Sequence, residues 1–121
     1  MTRVALDAKS LAQLSIEGLQ EIKGKNIVQI DLRGVDGAVA DFFVICTGTS
    51  DKHVQALSES VLDFAKENGE RPISKEGVKE GEWVLIDFVD VVVHIFQKEK
   101  REFYALEKLW GDAQFRVLED L

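Results

Sequence analysis

The sequence predicts an α/β (α+β) domain with a mixed sheet of about five strands and three helices. Three observations lead there. Apolar residues recur at helical spacing over residues 5–22 and again over 54–65. A continuous apolar run at 42–47, rich in β-formers, suits a central strand covered on both faces. Two more β-rich stretches, 83–87 and 90–96, are separated only by a tight turn.

Taken in order, Ala5, Ala8, Ala12, Ile16, Leu19 and Ile22 define the apolar stripe of a first helix. Gly24 is the expected left-handed residue that stops it. Residues 27–32 read as a strand, and 33–40, with Gly34, Asp36 and Gly37, as a turn. After the 42–47 strand, Ser50 is a good N-cap and Asp51 favours the positive helix end. Val54, Leu57, Val61, Phe64 and Ala65 then form the stripe of a second helix that ends near Asn68 and Gly69. Residues 71–81, with the only proline, Pro72, read as a polar loop with room for a short edge strand. Residues 98–110 read as a third helix with Phe103, Leu106, Leu109 and Trp110 inward, stopped by Gly111. The expected organisation is one domain over 1–112 and a C-terminal tail over 113–121.

Composition narrows the function classes. Lys and Arg number 15 against 22 Asp and Glu, a net charge of −7 over 121 residues. Such a chain is a poor primary ligand for nucleic acid, because that affinity rests on cations neutralising phosphates. No apolar run approaches the ~20 residues of a membrane span. The N-terminus lacks the apolar core of a secretory signal. A single cysteine, Cys46, excludes an internal disulfide. The expectation is a soluble protein of a reducing compartment, without membrane contact.

Catalytic and metal motifs are weak. Two histidines and one cysteine lie on three different elements with no ligand spacing, so no metal and no cofactor is expected. Cys46 sits inside an apolar strand, where a thiol behaves as a small hydrophobe. Gly18 to Lys25 imitates a phosphate loop, but its glycine spacing is wrong and it precedes a strand instead of following one. Gly48, Thr49 and Ser50 do have the strand–turn–helix order and form a candidate anion-binding turn; the alternative is a capped, tight connection. A nucleotidyl-transferring or nucleotide-binding enzyme using that turn is the runner-up reading. It lacks the closely spaced acidic pair that would hold magnesium, since Asp87 and Asp90 flank a turn. Trp83 and Asp87 share one face of their strand, and Val92, His94 and Phe96 share one face of the next. Left uncovered by a helix, that face is an interaction patch; covered, it is core.

These residues lie within three blocks that resemble the Iojap family, the ribosomal silencing factors. The blocks are ADFFVICTGTSDKHV at 40–54, WVLID at 83–87 followed by DVVVHIF at 90–96, and REFYALEKLW at 101–110. They occur in family order, with Glu76 and Gly77 between them, and the match spans roughly residues 5 to 112. The resemblance implies a nucleotidyltransferase-like α/β fold without transferase activity. It further implies binding to the large ribosomal subunit through its fourteenth protein. Joining of the small subunit is then blocked and translation falls when nutrients are scarce. A bacterial cytoplasmic protein is implied, with organellar relatives and homodimers known in the family. Trp83, Asp87, Asp90, His94 and Tyr104 fall on the family's shared polar and aromatic positions and are the expected partner-binding residues. Tyr104, one residue past Phe103, is expected to point about 100° away from the core stripe. One departure stands out: the family usually has glycine where this chain has Val89. A β-branched residue resists positive φ, so the turn at 88–90 is expected to differ in type or to carry strain.

Overall fold

The computed structural model describes residues 6–121, so the expected helix start at Ala5 lies outside the described residues. Asp7 caps α1 (Ala8–Glu21), its carboxylate accepting the Ser10 N–H. The chain continues through β1 (Lys25–Asp31), β2 (Phe42–Gly48), α2 (Asp51–Glu67), β3 (Ser74–Glu76), β4 (Trp83–Asp87) and β5 (Val91–Gln97). It ends with α3 (Lys98–Tyr104), the single turn α4 (Leu106–Leu109) and β6 (Gln114–Val117). One mixed sheet in the order β3-β4-β5-β2-β1-β6 holds every strand. Only the central pair β2/β5 is parallel. Its crossover runs through α2, β3 and β4. The fold class is therefore the expected one, with six strands in place of about five.

The central strands are sealed on both sides. All seven residues of β2 and the first six of β5 are buried. One face packs on α1 and α2 through Leu11, Ile16, Leu19, Val54, Leu57 and Val61 against Val44, Cys46, Val93 and Ile95. The opposite face carries Val28, Ile30, Phe43, Ile45, Val92 and Phe96. Leu106, Trp110 and short loop residues lean on it, together with the half-buried Trp83 and Leu85 of β4 and the partly exposed Tyr104. That face is covered in part: Val92, His94 and Phe96 are buried in it, while Trp83 and Asp87 stay half-buried.

Three local expectations change. The left-handed residue after α1 is Lys23 (φ 59°), while Gly24 donates its N–H to the Leu19 carbonyl. Gly24 is needed for space instead: a Cβ there would press on the Cys46 sulfur and the Leu19 carbonyl. The expected third helix breaks at Ala105 (φ 46°), giving α3 and α4. The segment expected as a tail adds the edge strand β6, paired antiparallel with β1 from Val28↔Val117 to Asp31↔Gln114. Four exposed residues with two apolar side chains are too short a period-two signal to separate from loop.

The turn at 88–90 carries the expected strain. Val89 has φ 78°, and Asp90 N–H donates to the Phe88 carbonyl two residues back, which makes a γ-turn. The Asp87 carboxylate braces it by accepting the Val89 N–H at 2.7 Å. A left-handed conformation costs a residue with a Cβ about 1–2 kcal/mol, part of which glycine returns as unfolded-state entropy. Val89→Gly should therefore stabilise the protein by about 0.5–1 kcal/mol in urea unfolding. An unchanged or lower midpoint would show that the turn is unstrained.

Candidate functional site

The partly covered face carries an aromatic cluster built from three elements. Strand alternation puts Trp83, Leu85 and Asp87 on it from β4, and Val92, His94 and Phe96 from β5. The antiparallel register sets Trp83 opposite Phe96, Leu85 opposite His94 and Asp87 opposite Val92. The Trp83 indole stacks on Phe96 with centroids 5.0 Å apart. Tyr104, from α3, lies 4.4 Å from Trp83 and closes the cluster from above. His94 lies edge-on to Phe43 of β2 at 4.8 Å.

Tyr104 is placed by Arg101. The Arg101 guanidinium donates to the Asn26 carbonyl at 2.6 Å and to Thr47 Oγ1 at 2.8 Å, pinning α3 to β1 and β2. Glu107 flanks its Nε at 3.5 Å. Residues three apart share a helix face, so Tyr104 turns toward the sheet with Arg101. Phe103 is consequently 80 % exposed and Tyr104 43 % exposed. This reverses the expectation that Phe103 faces in and Tyr104 away. Leu109, also expected inward, is exposed, while Leu106 and Trp110 do pack on the sheet. Sequence reasoning missed the anchoring role of Arg101, because a charged residue carries no weight in an apolar stripe.

His94 is only 4 % exposed and acts through its neighbour. Its Nδ1 accepts the Trp83 indole N–H at 3.1 Å, which fixes the rotamer of Trp83 and leaves the imidazole proton on Nε2. That second nitrogen is buried without a partner. Burial pushes the His94 pKa down to about 4, against a smaller opposing pull from Asp87. The imidazole is therefore neutral at physiological pH. Asp87 is half-buried and Asp90 exposed, at the end of β4 away from Trp83. Trp83 itself is seated by Gly77 (φ 82°), where any Cβ would collide with the Trp83 carbonyl. The structure thus brings Trp83, His94 and Tyr104 together, with His94 beneath the surface, while Asp87 shares their face from the far end of β4 and Asp90 lies beyond it at the rim.

The Gly48, Thr49 and Ser50 turn is tied to the first turn of α2 by two hydrogen bonds. Thr49 N–H donates to His53 Nδ1 at 2.9 Å, and Ser50 Oγ accepts the His53 N–H at 3.0 Å. His53 Nε2 reaches the Ile22 carbonyl at 2.7 Å, tying the start of α2 to the end of α1. An open cavity of about 450 Å3 does lie nearby, lined by Asn26, Thr47, Lys98, Arg101, Glu107 and Lys108. Arg101, one of the three cations in its lining, is already engaged. Cys46 is fully buried, and burial pushes its thiol pKa up to about 12, so it stays protonated. Among the described residues no three His, Cys, Asp or Glu side chains converge as metal ligands, and no helix is long and apolar enough to cross a membrane.

Because the folded-state pKa of His94 lies below the ordinary value of 6.5, the unfolded chain takes up this proton first as pH falls. Stability should be intact above pH ~6.5 and decline toward pH ~4, by up to ~1.4 kcal/mol per pH unit from this group. In the folded protein the acceptor nitrogen is lost only near pH 4, so a change in tryptophan emission from this group should appear there and not across the whole window. His94→Asn, which cannot titrate, should show a flatter decline over that window in urea midpoints measured against pH. Equal slopes in both proteins would show that His94 is not buried and neutral.

Comparison with known proteins gives a consistent answer. Residues 5–121 match the model of the RsfS family, described as "Ribosomal silencing factor during starvation". The chain is 42 % identical over 114 residues to the ribosomal silencing factor RsfS of Bacillus subtilis, covering 94 % of this chain and 96 % of that one. It is 41 % identical over 75 residues to the chloroplastic protein Iojap of Zea mays, of which it covers 31 %. Among solved structures, a Chromobacterium violaceum protein superposes with a TM-score of 0.83 at 38 % identity, covering 88 % of each chain. A Bacillus halodurans protein gives 0.76, also at 38 % identity, covering 92 % of this chain and 98 % of that one. The match to the family model runs through β6, beyond the resemblance legible at residue 112. The chain belongs to the RsfS family.

Proposed function

We propose that this chain is a non-catalytic ribosomal silencing factor of the bacterial cytoplasm. It binds the large ribosomal subunit through its fourteenth protein and blocks joining of the small subunit by occupying the space between them. Translation then falls when nutrients are limiting. The observation that carries the reading is the Trp83–Tyr104 pair: two large aromatics, one from β4 and one from α3, packed on each other yet left partly open to water. Aromatics in such settings are the usual anchors of protein interfaces. Family membership supplies the ribosome as the place of binding.

Charge supports a protein partner over RNA. A chain of net charge −7 is repelled by rRNA phosphates and attracted to a basic ribosomal protein. Asp87, on the same face of β4 as Trp83, and Asp90, in the turn beyond it, put negative charge along the surface where such a partner would dock. A globule ~35 Å across cannot share a gap that closes to direct contact, so occupancy alone inhibits. No chemistry is required, and no cofactor or metal enters the proposal. Homodimers are an additional expectation from the family.

The test is equilibrium binding to purified bacterial large subunits over a salt series. Trp83→Ala and Tyr104→Ala should each weaken binding ~30-fold or more while circular dichroism stays native, since truncating an interface anchor costs about 2 kcal/mol or more. Asp87→Lys and Asp90→Lys should slow association and flatten its salt dependence, because screening removes an attraction they no longer have. Wild-type binding and blocking by all four folded variants would place the contact on another surface.

A further inference from the structure

At the end of the sheet where β5 begins, three aliphatic side chains stand in solvent: Val39 in the β1–β2 loop, Ile73 before β3, and Val89 in the β4–β5 turn. Hydrogen bonds tie these segments into one rim. Asp41 and Phe42 both donate their N–H groups to the Asp90 carbonyl, at 2.8 and 3.1 Å, and Ile73 N–H donates to the Asp87 carbonyl at 2.7 Å. Asp41, Asp87 and Asp90 lie along the rim, with Arg71 and Lys75 flanking Ile73 at its β3 side. Arg33, the cation of the β1–β2 loop, is spent on a two-pronged contact with Asp31. Asp87 belongs both to this rim and to the aromatic face, so the two surfaces are continuous.

Val89 is the anomaly on this rim. Its backbone is held at φ 78°, a conformation a β-branched residue resists, and its side chain is 52 % exposed. Nothing inside the free protein offsets that strain through burial of the valine. Strain held at an exposed position is motive for a functional reading.

We propose that Val89 is a contact and specificity-determining residue for the protein that docks on the Trp83–Tyr104 face, its isopropyl group entering an apolar hollow bordered by Lys or Arg. The proposal rests on the docking reading above. Charge complementarity selects the occupant: the Asp87 and Asp90 carboxylates on either side repel phosphates and attract a basic protein surface. Burying the two methyl groups on binding gives affinity that glycine cannot supply, although glycine relieves the turn.

The experiment pairs thermal unfolding with equilibrium binding to purified bacterial large subunits, and adds sedimentation velocity of the free protein. Val89→Gly, Val89→Ala and Tyr104→Ala are compared with wild type. Val89→Gly should melt higher yet bind about five-fold more weakly, the factor to which about 1 kcal/mol corresponds. Val89→Ala, which keeps the strain, should bind more weakly without melting higher. A stabilised Val89→Gly that binds as wild type does, while Tyr104→Ala binds weakly, overturns this role for Val89 and leaves the docking face standing. Wild-type binding by all three variants overturns both readings. Loss of self-association in Val89→Gly with subunit binding unchanged overturns the proposal in favour of a second copy of this chain as the occupant.

Discussion

The two parallel strands at the centre of the sheet, β2 and β5, are apolar on both sides, so both faces of the sheet must be kept from water. Much of the architecture follows from that requirement. On one face α1 and α2 meet it completely, and Gly24 and Gly48 bring the chain close enough for Cys46 and Val54 to pack without a gap. On the other face it is met by shorter means. The α3–α4 strap covers part, and β4 leans its own aromatic side chain over the rest. What remains open is aromatic and rigid, and an incompletely covered core of that kind is how a small domain presents an interface without a groove.

The strap holds its position through polar contacts. Arg101 replaces an apolar anchor with bonds to the Asn26 carbonyl and Thr47, and that choice rotates Tyr104 onto Trp83. His94 plays the matching part from below, orienting the indole through one nitrogen while the other stays unpartnered. A buried polar atom without a partner costs roughly 1–3 kcal/mol, so the cluster is held at some expense to stability. The strained Val89 turn sits at the edge of the same face. The unpartnered His94 nitrogen and the strained Val89 turn thus put two departures from the most stable arrangement on one surface.

Much of this was legible in the sequence. The periodicities placed α2 and the strands, Ser50 capped α2 as its position required, and the Val89 substitution pointed to a strained turn. The aromatic face followed from two-residue alternation in β4 and β5. Other features depend on contacts that no local pattern encodes. Which side of α3 faces inward is set by Arg101 reaching residues 75 and 54 positions away. The break at Ala105 and the pairing of β6 with β1 are likewise long-range outcomes. The burial of His94 could not be read from alternation, which tells the face of a strand but not what covers it.

Occupancy of the large subunit and exclusion of the small one are the centre of this account. Sedimentation of purified bacterial subunits through a sucrose gradient, with and without the protein in excess, addresses both together. The account expects the protein to co-sediment with the large subunit and the joined-ribosome peak to collapse into separate subunits. Joined ribosomes at undiminished yield, with the protein left at the top of the gradient, would contradict it.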